Sequence, residues 1–233
     1  MSQLNVVSSK AVDVLLRPDG SRIDEISGGP AFFIRSALQE SGVDFTINEG
    51  EKMQVEVKVY DHKEISKVAR PSQTRKLSEI DAGDWCIIST LLNEWSIDVV
   101  PKCAFVDIQG YVRDGSRFGG KRSWPIDGET SRKIYCLKGT AEEISYLPAE
   151  LVEDQKANRM LVITDGERGS TIYCAGEQVS IPAELVENLP NTVGAGDTFF
   201  AYFAASLYQG NDFRTAGAYA STKTAEFLSK KIG

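Results

Sequence analysis

The chain has 233 residues, of which 42% are hydrophobic and 25% charged, as in an ordinary soluble globular protein. Its formal net charge of -7 and pI near 4.9 argue against nucleic-acid binding, which requires clustered Lys and Arg. No apolar run approaches the ~18 residues needed to cross a membrane, and the first ten residues lack a signal-peptide core. We therefore expect a cytoplasmic protein with neither nucleic-acid nor membrane partners, folded as a single domain over residues 1–233.

The cysteines and the histidine do not suggest a metal site. Cys86, Cys103, Cys136 and Cys174 are isolated in apolar or β-branched surroundings, and none belongs to a CxxC motif. The only histidine, His62, lies in a charged segment and is expected on the surface. We therefore expect free thiols in a reducing cytoplasm.

The N-terminal part alternates strand-like and helical patterns. Residues 4–16 are β-rich, and Asp13 lies among their apolar positions. Its carboxylate either accepts hydrogen bonds from substrate hydroxyls or is simply solvated. Gly28 and Gly29 precede a helical run that ends at Gly42, so they form either a close approach for a substrate or only a helix entry. Two further strand-like runs follow at residues 43–47 and 53–60.

From Asp84 onward the pattern is typical of a parallel α/β sheet. Near-continuous apolar runs alternate with segments of helix length, as expected of strands that are buried on both faces. The runs are WCIIST, CAFVDI, KIYCLK and RMLVIT. Such sheets bind ligands at the carboxyl ends of their strands, so the residues after each run are candidate site residues.

Three candidates follow these strands. Asp107, Gln109 and Arg113 come after CAFV and form either a binding rim or loop caps. Thr140 and Glu143 after KIYCLK form a predicted capping box at a helix start, which also places a carboxylate near any phosphate bound there.

The third candidate follows RMLVIT. Asp165-Gly166 predicts a hairpin turn, which exposes backbone amides and places Arg168 where it could meet a phosphate.

The most informative stretch is NTVGAGDTFFAYF at residues 191–203. Gly194 and Gly196 flank Ala195 and open an apolar helix, whose N-terminus attracts anions through its unpaired amides and its dipole. Asp197 lies inside this anion-attracting turn, where a carboxylate could accept a proton from an attacking hydroxyl. The structural alternative is a capped helix, in which Asp197 or a preceding residue is only the cap.

This stretch resembles the D-T-x-G-A-G-D signature of the ribokinase-like (PfkB) sugar kinases. The resemblance implies that the amides of Gly194, Ala195 and Gly196 form an anion hole for the transferring phosphoryl group, and that Asp197 is the catalytic base. The first Asp of the signature, which helps to hold a monovalent cation in many relatives, is Asn191 here. Potassium activation is therefore not assumed.

The resemblance covers nearly the whole chain in order and implies further roles. Asp13 and the Gly28-Gly29 pair match sugar-binding positions, and Asp-x-Gln-Gly-x-x-Arg is similar to the pattern of archaeal-type members. Pro30 and the Phe32-Phe33 pair depart from the family pattern beside the glycines. The implied acceptor-binding residues are Asp13, Gly28, Gly29, Asp107, Gln109 and Arg113. The implied nucleotide-binding residues are Thr164, Gly166 and Gly169, beside Arg168, and the metal-associated residue is Glu143, although Thr140 replaces the usual Asn.

The fold implied is a three-layer α/β sandwich around a mostly parallel sheet, with a reduced β lid from parts of about residues 10–62. The function implied is ATP-dependent phosphotransfer, with Mg²⁺, to a hydroxyl of a sugar, polyol or nucleoside. Two alternatives stay open: a kinase of another small alcohol, of the inositol or hydroxymethylpyrimidine type, and a nucleotide-binding sensor without turnover. Substitutions at Pro30, Thr140 and Asn191 motivate the sensor. Homodimer formation is left open.

Overall fold

The computed structural model describes residues 3–60 and 63–232, except for the side chain of Lys63, and His62 lies outside the described residues. Within them the strands are β1 (Leu4–Ser8), β2 (Ala11–Leu16), β3 (Arg22–Gly28), β4 (Phe45–Glu49), β5 (Met53–Tyr60), β6 (Lys63–Arg70), β7 (Arg75–Lys76), β8 (Trp85–Ser89), β9 (Trp95–Ser96), β10 (Cys103–Asp107), β11 (Cys136–Thr140), β12 (Met160–Thr164), β13 (Ser170–Cys174) and β14 (Glu177–Ile181). The α-helices are α1 (Pro30–Glu40), α2 (Gln109–Val112), α3 (Gly128–Lys133), α4 (Ala141–Ile144), α5 (Ala149–Asn158), α6 (Ala195–Tyr208) and α7 (Phe213–Ser229). Short 3₁₀ turns occupy Leu77–Glu79 and Gly166–Arg168. None of the helices described here is long and apolar enough to span a membrane.

Eight of these strands form the central sheet in the order β14-β13-β12-β11-β10-β8-β1-β4. The six strands from β12 to β4 are parallel, and β13 and β14 complete one edge as antiparallel strands. One face packs against α1, α6 and α7, and the other against the segments that carry α2 to α5. The predicted three-layer α/β sandwich is therefore confirmed. The apolar strand runs are continuous because both faces of the sheet are covered.

A second, four-stranded sheet in the order β3-β2-β5-β6 forms the lid. The chain leaves the central sheet after β1, passes through Ser9 and Lys10, and enters the lid as β2. The lid extends to Arg70, beyond the expected residue 62, because β6 pairs antiparallel with β5. Its apolar underside packs on Leu91 and Val193, so the lid covers the carboxyl edge of the central sheet.

The parallel register places a row of polar residues at that edge. Lys138 pairs with Asp107, Asp107 with Ser89, and Ser89 with Ser8, so these residues of neighbouring strands lie side by side. Since the strands run in the same direction, their carboxyl ends meet at one edge, and the row forms a polar floor beneath the lid.

The four cysteines form no disulfide among the described residues, as expected. Cys86 and Cys136 are buried, and Cys103 and Cys174 are half-buried. Burial raises the pKa of Cys86 to about 12, so this thiol stays protonated and behaves as a small apolar side chain.

The short helix α2 lies directly against the end of β8. An ideal Cβ on Gly110 would overlap with the side-chain and backbone oxygens of Thr90. Gly110 therefore allows the close approach that brings Gln109 and Arg113 over the polar floor.

We expect Gly110→Ala to destabilise the protein by ~1–3 kcal/mol, because the added methyl must displace backbone atoms rather than a flexible side chain. Urea denaturation measures this change. The matched control is Gly128→Ala in α3, where the new Cβ would lie 3.6 Å from the Arg132 guanidinium, an ordinary contact. Equal stability of the two variants would contradict the close packing of α2.

Candidate active site

The glycine-rich turn forms the start of α6. Gly194 is the N-cap, with φ of 83° in the left-handed region, and a Cβ there would overlap with the ring of Phe33. Only glycine meets both demands. The Ala195 amide donates to Thr192 O at 3.0 Å, whereas the amides of Gly194 and Gly196 have no acceptor within the described chain. Of the three amides expected to form the anion hole, only those of Gly194 and Gly196 are therefore free to bind an anion.

Asp197 is not the cap of this helix. Its Oδ1 accepts hydrogen bonds from Ser89 Oγ at 3.3 Å and from Gln109 Nε2 at 3.1 Å, both from other strands and helices. Burial, with the nearby Asp107 carboxylate adding to it, raises the pKa of Asp197 to about 7, against the opposing charge of Lys138. A carboxylate with a pKa near neutrality has the basicity expected of a general base.

Lys138 supplies a buried positive charge beside this carboxylate. Its Nζ donates to Asp107 Oδ2 at 2.7 Å, and the side chains are 5% and 0% exposed respectively. Burial disfavours the ammonium, but the carboxylates of Asp107, Asp197 and Glu143 outweigh it and raise the pKa of Lys138. A Cβ on Gly196 would lie 3.1 Å from Lys138 Nζ, so the charge adjoins the glycine turn.

Sequence reasoning missed Lys138, although a lysine inside the apolar run KIYCLK was a usable signal. The same ion pair gives Asp107 a structural role. The Asp107 carboxylate is fully buried and accepts hydrogen bonds from Lys138 Nζ and from the main-chain N–H of Gln109, and its role in binding the acceptor substrate stays a prediction.

A cavity of about 130 Å³ lies between the lid and α6. Predicted residues from four separate parts of the chain meet there, namely Asp13, Gly29, Gln109, Arg113, Gly194 and Asp197. Phe33 and Val55 are among its apolar lining residues, and Glu64 adds a further carboxylate. The cavity thus joins the predicted acceptor residues to the anion-attracting turn.

Asp13 lies on the lid side of this cavity and is 4% exposed. The Gly29 amide donates to its Oδ2 at 3.4 Å. Burial raises the pKa of Asp13 to about 6, while the Gly29 amide and the charges of Arg113 and Lys231 oppose that rise. Gly28 was expected to bind the acceptor, but it is buried behind Asp13, and a Cβ there would overlap with the carboxylate. Gly28 therefore makes room for Asp13.

Gln109 and Arg113 form a hydrogen-bonded chain that leads to Asp197. Arg113 Nη1 donates to Leu91 O at 3.1 Å, and its Nη2 donates to Gln109 Oε1 at 3.3 Å. This contact orients the Gln109 amide so that its Nε2 faces Asp197. Both residues line the cavity, Gln109 also fixes the carboxylate of Asp197, and their role in binding the acceptor stays a prediction.

Glu64 of β6 connects the lid to the loop before α6. Its carboxylate accepts from the Thr192 amide at 2.6 Å and from Thr192 Oγ1 at 2.8 Å. No sequence pattern pointed to Glu64, because its partner lies 128 residues away. The lid and the glycine-rich turn are thereby held together.

The residues expected to bind nucleotide lie where β12 ends. Thr164 is half-buried and pairs across the sheet with Thr140, while Gly166 and Gly169 take φ of 54° and 95° in the predicted hairpin turn. Arg168 is exposed and makes two hydrogen bonds of 2.6 Å to the carboxylate of Asp165. These residues do not line the acceptor cavity, and their nucleotide role stays a prediction.

Each carboxylate oxygen of Glu143, the residue expected to associate with magnesium, accepts one hydrogen bond within the chain. Lys121 Nζ donates to its Oε1 at 2.8 Å, and the Thr140 amide donates to its Oε2 at 3.0 Å in the predicted capping box. Burial alone would raise the pKa of Glu143, but Lys121 and Lys138 outweigh burial and lower it. The described residues contain no group of three or more potential metal-ligating side chains. These residues therefore form no all-protein cage for magnesium, and the metal-associated role of Glu143 stays a prediction.

Comparison with known proteins agrees with this architecture. Residues 130–231 match the family described as pfkB family carbohydrate kinase. The ribokinase of Bacillus subtilis is 30% identical over 149 residues, which cover 62% of this chain and 48% of that relative. The chain therefore spans about half the length of this relative.

Solved structures show the same fold. A pyrophosphate-dependent kinase of the ribokinase family, solved with a pyrophosphate analogue and myo-inositol, superposes with a TM-score of 0.73 at 16% sequence identity. The superposition covers 97% of this chain and 95% of that kinase. A nucleoside kinase of Burkholderia thailandensis, solved with inosine, has a TM-score of 0.70 at 16% sequence identity. This superposition covers 97% of this chain and 91% of the nucleoside kinase. The expected resemblance is confirmed.

The raised pKa of Asp197 has a consequence for stability. The folded state holds a proton on this carboxyl up to about pH 7, whereas the unfolded chain releases it near the ordinary carboxyl pKa of 3.8. Raising the pH through this window therefore destabilises the folded state. We expect Asp197→Asn to become progressively more stable than the wild type between pH 5 and pH 8, as measured by chemical denaturation.

Asp127→Asn is the matched control, because the Asp127 carboxylate caps α3 and its pKa is lowered, so it is ionised throughout that range. Its stability difference from the wild type should stay constant. A constant difference for Asp197→Asn as well would show that Asp197 ionises normally.

Proposed function

We propose that this chain, which belongs to the ribokinase-like (PfkB) family, is an ATP-dependent kinase that phosphorylates a hydroxyl of a small sugar or polyol. One observation carries the proposal: Asp197, with a pKa near 7, lies between the acceptor cavity and the free amides of the glycine turn. A proton acceptor, an alcohol site and an anion site therefore adjoin one another, as phosphoryl transfer to an alcohol requires.

In the proposed reaction, Asp197 takes the proton of the acceptor hydroxyl as its oxygen attacks the γ-phosphorus of the donor. Ser89 and Gln109 occupy Oδ1, which leaves Oδ2 to accept the proton. The bond from phosphorus to the leaving oxygen breaks, and ADP departs. The amides of Gly194 and Gly196, with the Lys138 ammonium beside them, stabilise the negative charge on the moving phosphoryl group.

The donor site is proposed at the carboxyl end of β12. Thr164, Gly166 and Gly169 are its proposed nucleotide contacts, and Arg168 would have to exchange Asp165 for a phosphate. Pyrophosphate is a donor to test beside ATP, because a structural neighbour is pyrophosphate-dependent. Any magnesium would be held largely by the phosphate groups of the donor and by water, since the described residues contain no group of three or more metal-ligating side chains.

The acceptor is proposed to be small and uncharged. A cavity of about 130 Å³ is well below the ~300–1,000 Å³ typical of sites for drug-sized ligands. Three carboxyl groups, of Asp13, Glu64 and Asp197, lie at this site against two cations, Arg113 and the nearby Lys231, so the cavity does not favour an anionic acceptor. A monosaccharide or an inositol fits this description better than a nucleoside.

The test is a screen for donor-derived product over sugars, inositols, hydroxymethylpyrimidines and nucleosides, with ATP and with pyrophosphate. We expect ADP release that depends on a monosaccharide or an inositol. Asp197→Asn is the control, and its turnover should fall by ~10²–10⁴, the usual contribution of a general base. Calorimetry should show that this variant still binds ATP.

The outcomes of this screen distinguish a kinase from a nucleotide-binding sensor. ATP binding without turnover on any acceptor would favour a sensor over a kinase. Turnover by Asp197→Asn at the wild-type rate would refute the assignment of the base. If ATP fails to bind with or without magnesium, the nucleotide-dependent function is wrong.

A further prediction concerns the acceptor side. Asp13→Ala should weaken the binding of the acceptor by ~1–3 kcal/mol, the typical cost of a lost hydrogen-bond partner at a buried site. ATP affinity should stay near the wild-type value, because Asp13 lies in the lid, away from the proposed donor site. Calorimetric titration of each ligand measures both effects, and an equal loss of both affinities would mean that Asp13 is structural.

A further inference from the structure

The end of the C-terminal helix places an ammonium group against the loop that leads into the glycine turn. Lys231 follows α7, and its Nζ donates to Asn191 Oδ1 at 2.9 Å and to Val193 O at 2.6 Å. The side chain is half-buried and its Nζ lies 4.9 Å from the centroid of the Phe227 ring. Lys231 does not line the acceptor cavity, and the role proposed above for the glycine turn does not involve it.

The two hydrogen-bond acceptors of the Lys231 ammonium group are neutral oxygen atoms. Asn191 contributes an amide oxygen and Val193 a backbone carbonyl. No carboxylate in the described part of the chain lies within 4.0 Å of Lys231 Nζ. Its positive charge is therefore not cancelled by direct pairing, and the carboxylates of Glu64 and Asp13 act on it only at longer range. Neutral oxygen atoms of this kind can coordinate a monovalent cation. Here the cation is the ammonium group of Lys231, which is covalently part of the chain.

The geometry of the peptide group links this charge to the anion site. The carbonyl of Val193 and the amide of Gly194 belong to one planar trans peptide, so they point in opposite directions. Lys231 holds the carbonyl end, while the amide end has no acceptor in the described chain. An ammonium on the carbonyl both fixes the orientation of the peptide and polarises its N–H group.

We propose that Lys231 is a built-in cation that orients and polarises the Val193–Gly194 peptide for anion binding, and that it makes the site independent of free monovalent cations. Lys231 is thus a positioning residue, which acts on the phosphate through Gly194. The proposal deepens the proposed function and rests on it for the identity of the anion as a phosphate group.

The charge state of Lys231 adds a pH dependence to the geometric argument. Burial lowers the pKa of Lys231 to about 8, against the opposing charges of Glu64 in the lid and Asp13 on β2. The ammonium is therefore largely present at pH 7 and is lost as the pH rises through 8. The carboxylates of Glu64 and Asp13 face it, and Asp197, with a pKa of about 7, also adjoins the anion site. The part of the pH dependence that belongs to Lys231 is therefore the difference between the wild type and Lys231→Met.

The experiment measures inorganic pyrophosphate binding by calorimetry at constant ionic strength in choline, potassium or ammonium chloride. The wild type should bind equally in all three salts at pH 7, and its advantage over Lys231→Met in choline should shrink at pH 9. Lys231→Met should lose roughly ten- to a hundredfold in affinity in choline, as expected for one unit charge ~7–8 Å from the anion in a partly buried site. Potassium or ammonium should restore most of that affinity, and Lys231→Arg should bind nearly as the wild type.

Lys230→Met is the matched control, because the adjacent Lys230 side chain is 65% exposed and pairs with Glu40 instead. It should bind as the wild type in every salt. Unchanged affinity of Lys231→Met in choline would overturn the proposal. So would a wild type that binds only in potassium, and this comparison needs no variant to fold.

This binding assay also separates the two proposals, since it needs no turnover. Salt-independent binding by the wild type, lost in Lys231→Met, supports the role of Lys231 even when no acceptor is phosphorylated. Conversely, turnover on a sugar with no effect of Lys231→Met on binding refutes the role of Lys231 and leaves the kinase proposal intact.

Discussion

The site depends on one buried cation, Lys138, placed between two carboxyl groups at the carboxyl edge of the sheet. Asp107 and Asp197 would otherwise be buried acids with little to offset their charge. Breaking such a buried pair typically costs ~3–5 kcal/mol, because the remaining charge is left uncompensated. The same cation keeps the pKa of Asp197 from rising further, so the carboxyl titrates near neutrality. One charge thus serves both the folding of the edge and the chemistry proposed for it.

The loop before α6 is the second point on which the site depends. It is held from three directions: Glu64 of the lid binds Thr192, Lys231 from the C-terminal end binds Val193, and Phe33 of α1 lies against Gly194. Lid, C-terminal helix and N-terminal helix therefore converge on the few residues that present the free amides. An acceptor in the cavity would contact the lid and this loop together, which couples acceptor binding to the geometry of the anion site.

Much of the site could be predicted because its residues carry local signals. The GAGD turn was recognisable from glycines at a helix start, and Asp13, Gln109 and Arg113 from their place at strands or strand ends. The structure brings these together around one cavity. Asp107 and Gly28 do not line the cavity; Asp107 pairs with Lys138, and Gly28 leaves space for the Asp13 carboxylate.

The sequence by itself determined the layered α/β fold, the capping box, the hairpin after β12 and the helix start with its carboxylate. Each depends on side-chain periodicity or on backbone demands of neighbouring residues, which a local pattern records. Tertiary structure alone decided that Lys138 meets Asp107, that Glu64 meets Thr192 and that Lys231 meets Val193, across 31, 128 and 38 residues. Charges separated so far along the chain become neighbours only through strand order and register, and no short stretch of sequence encodes that.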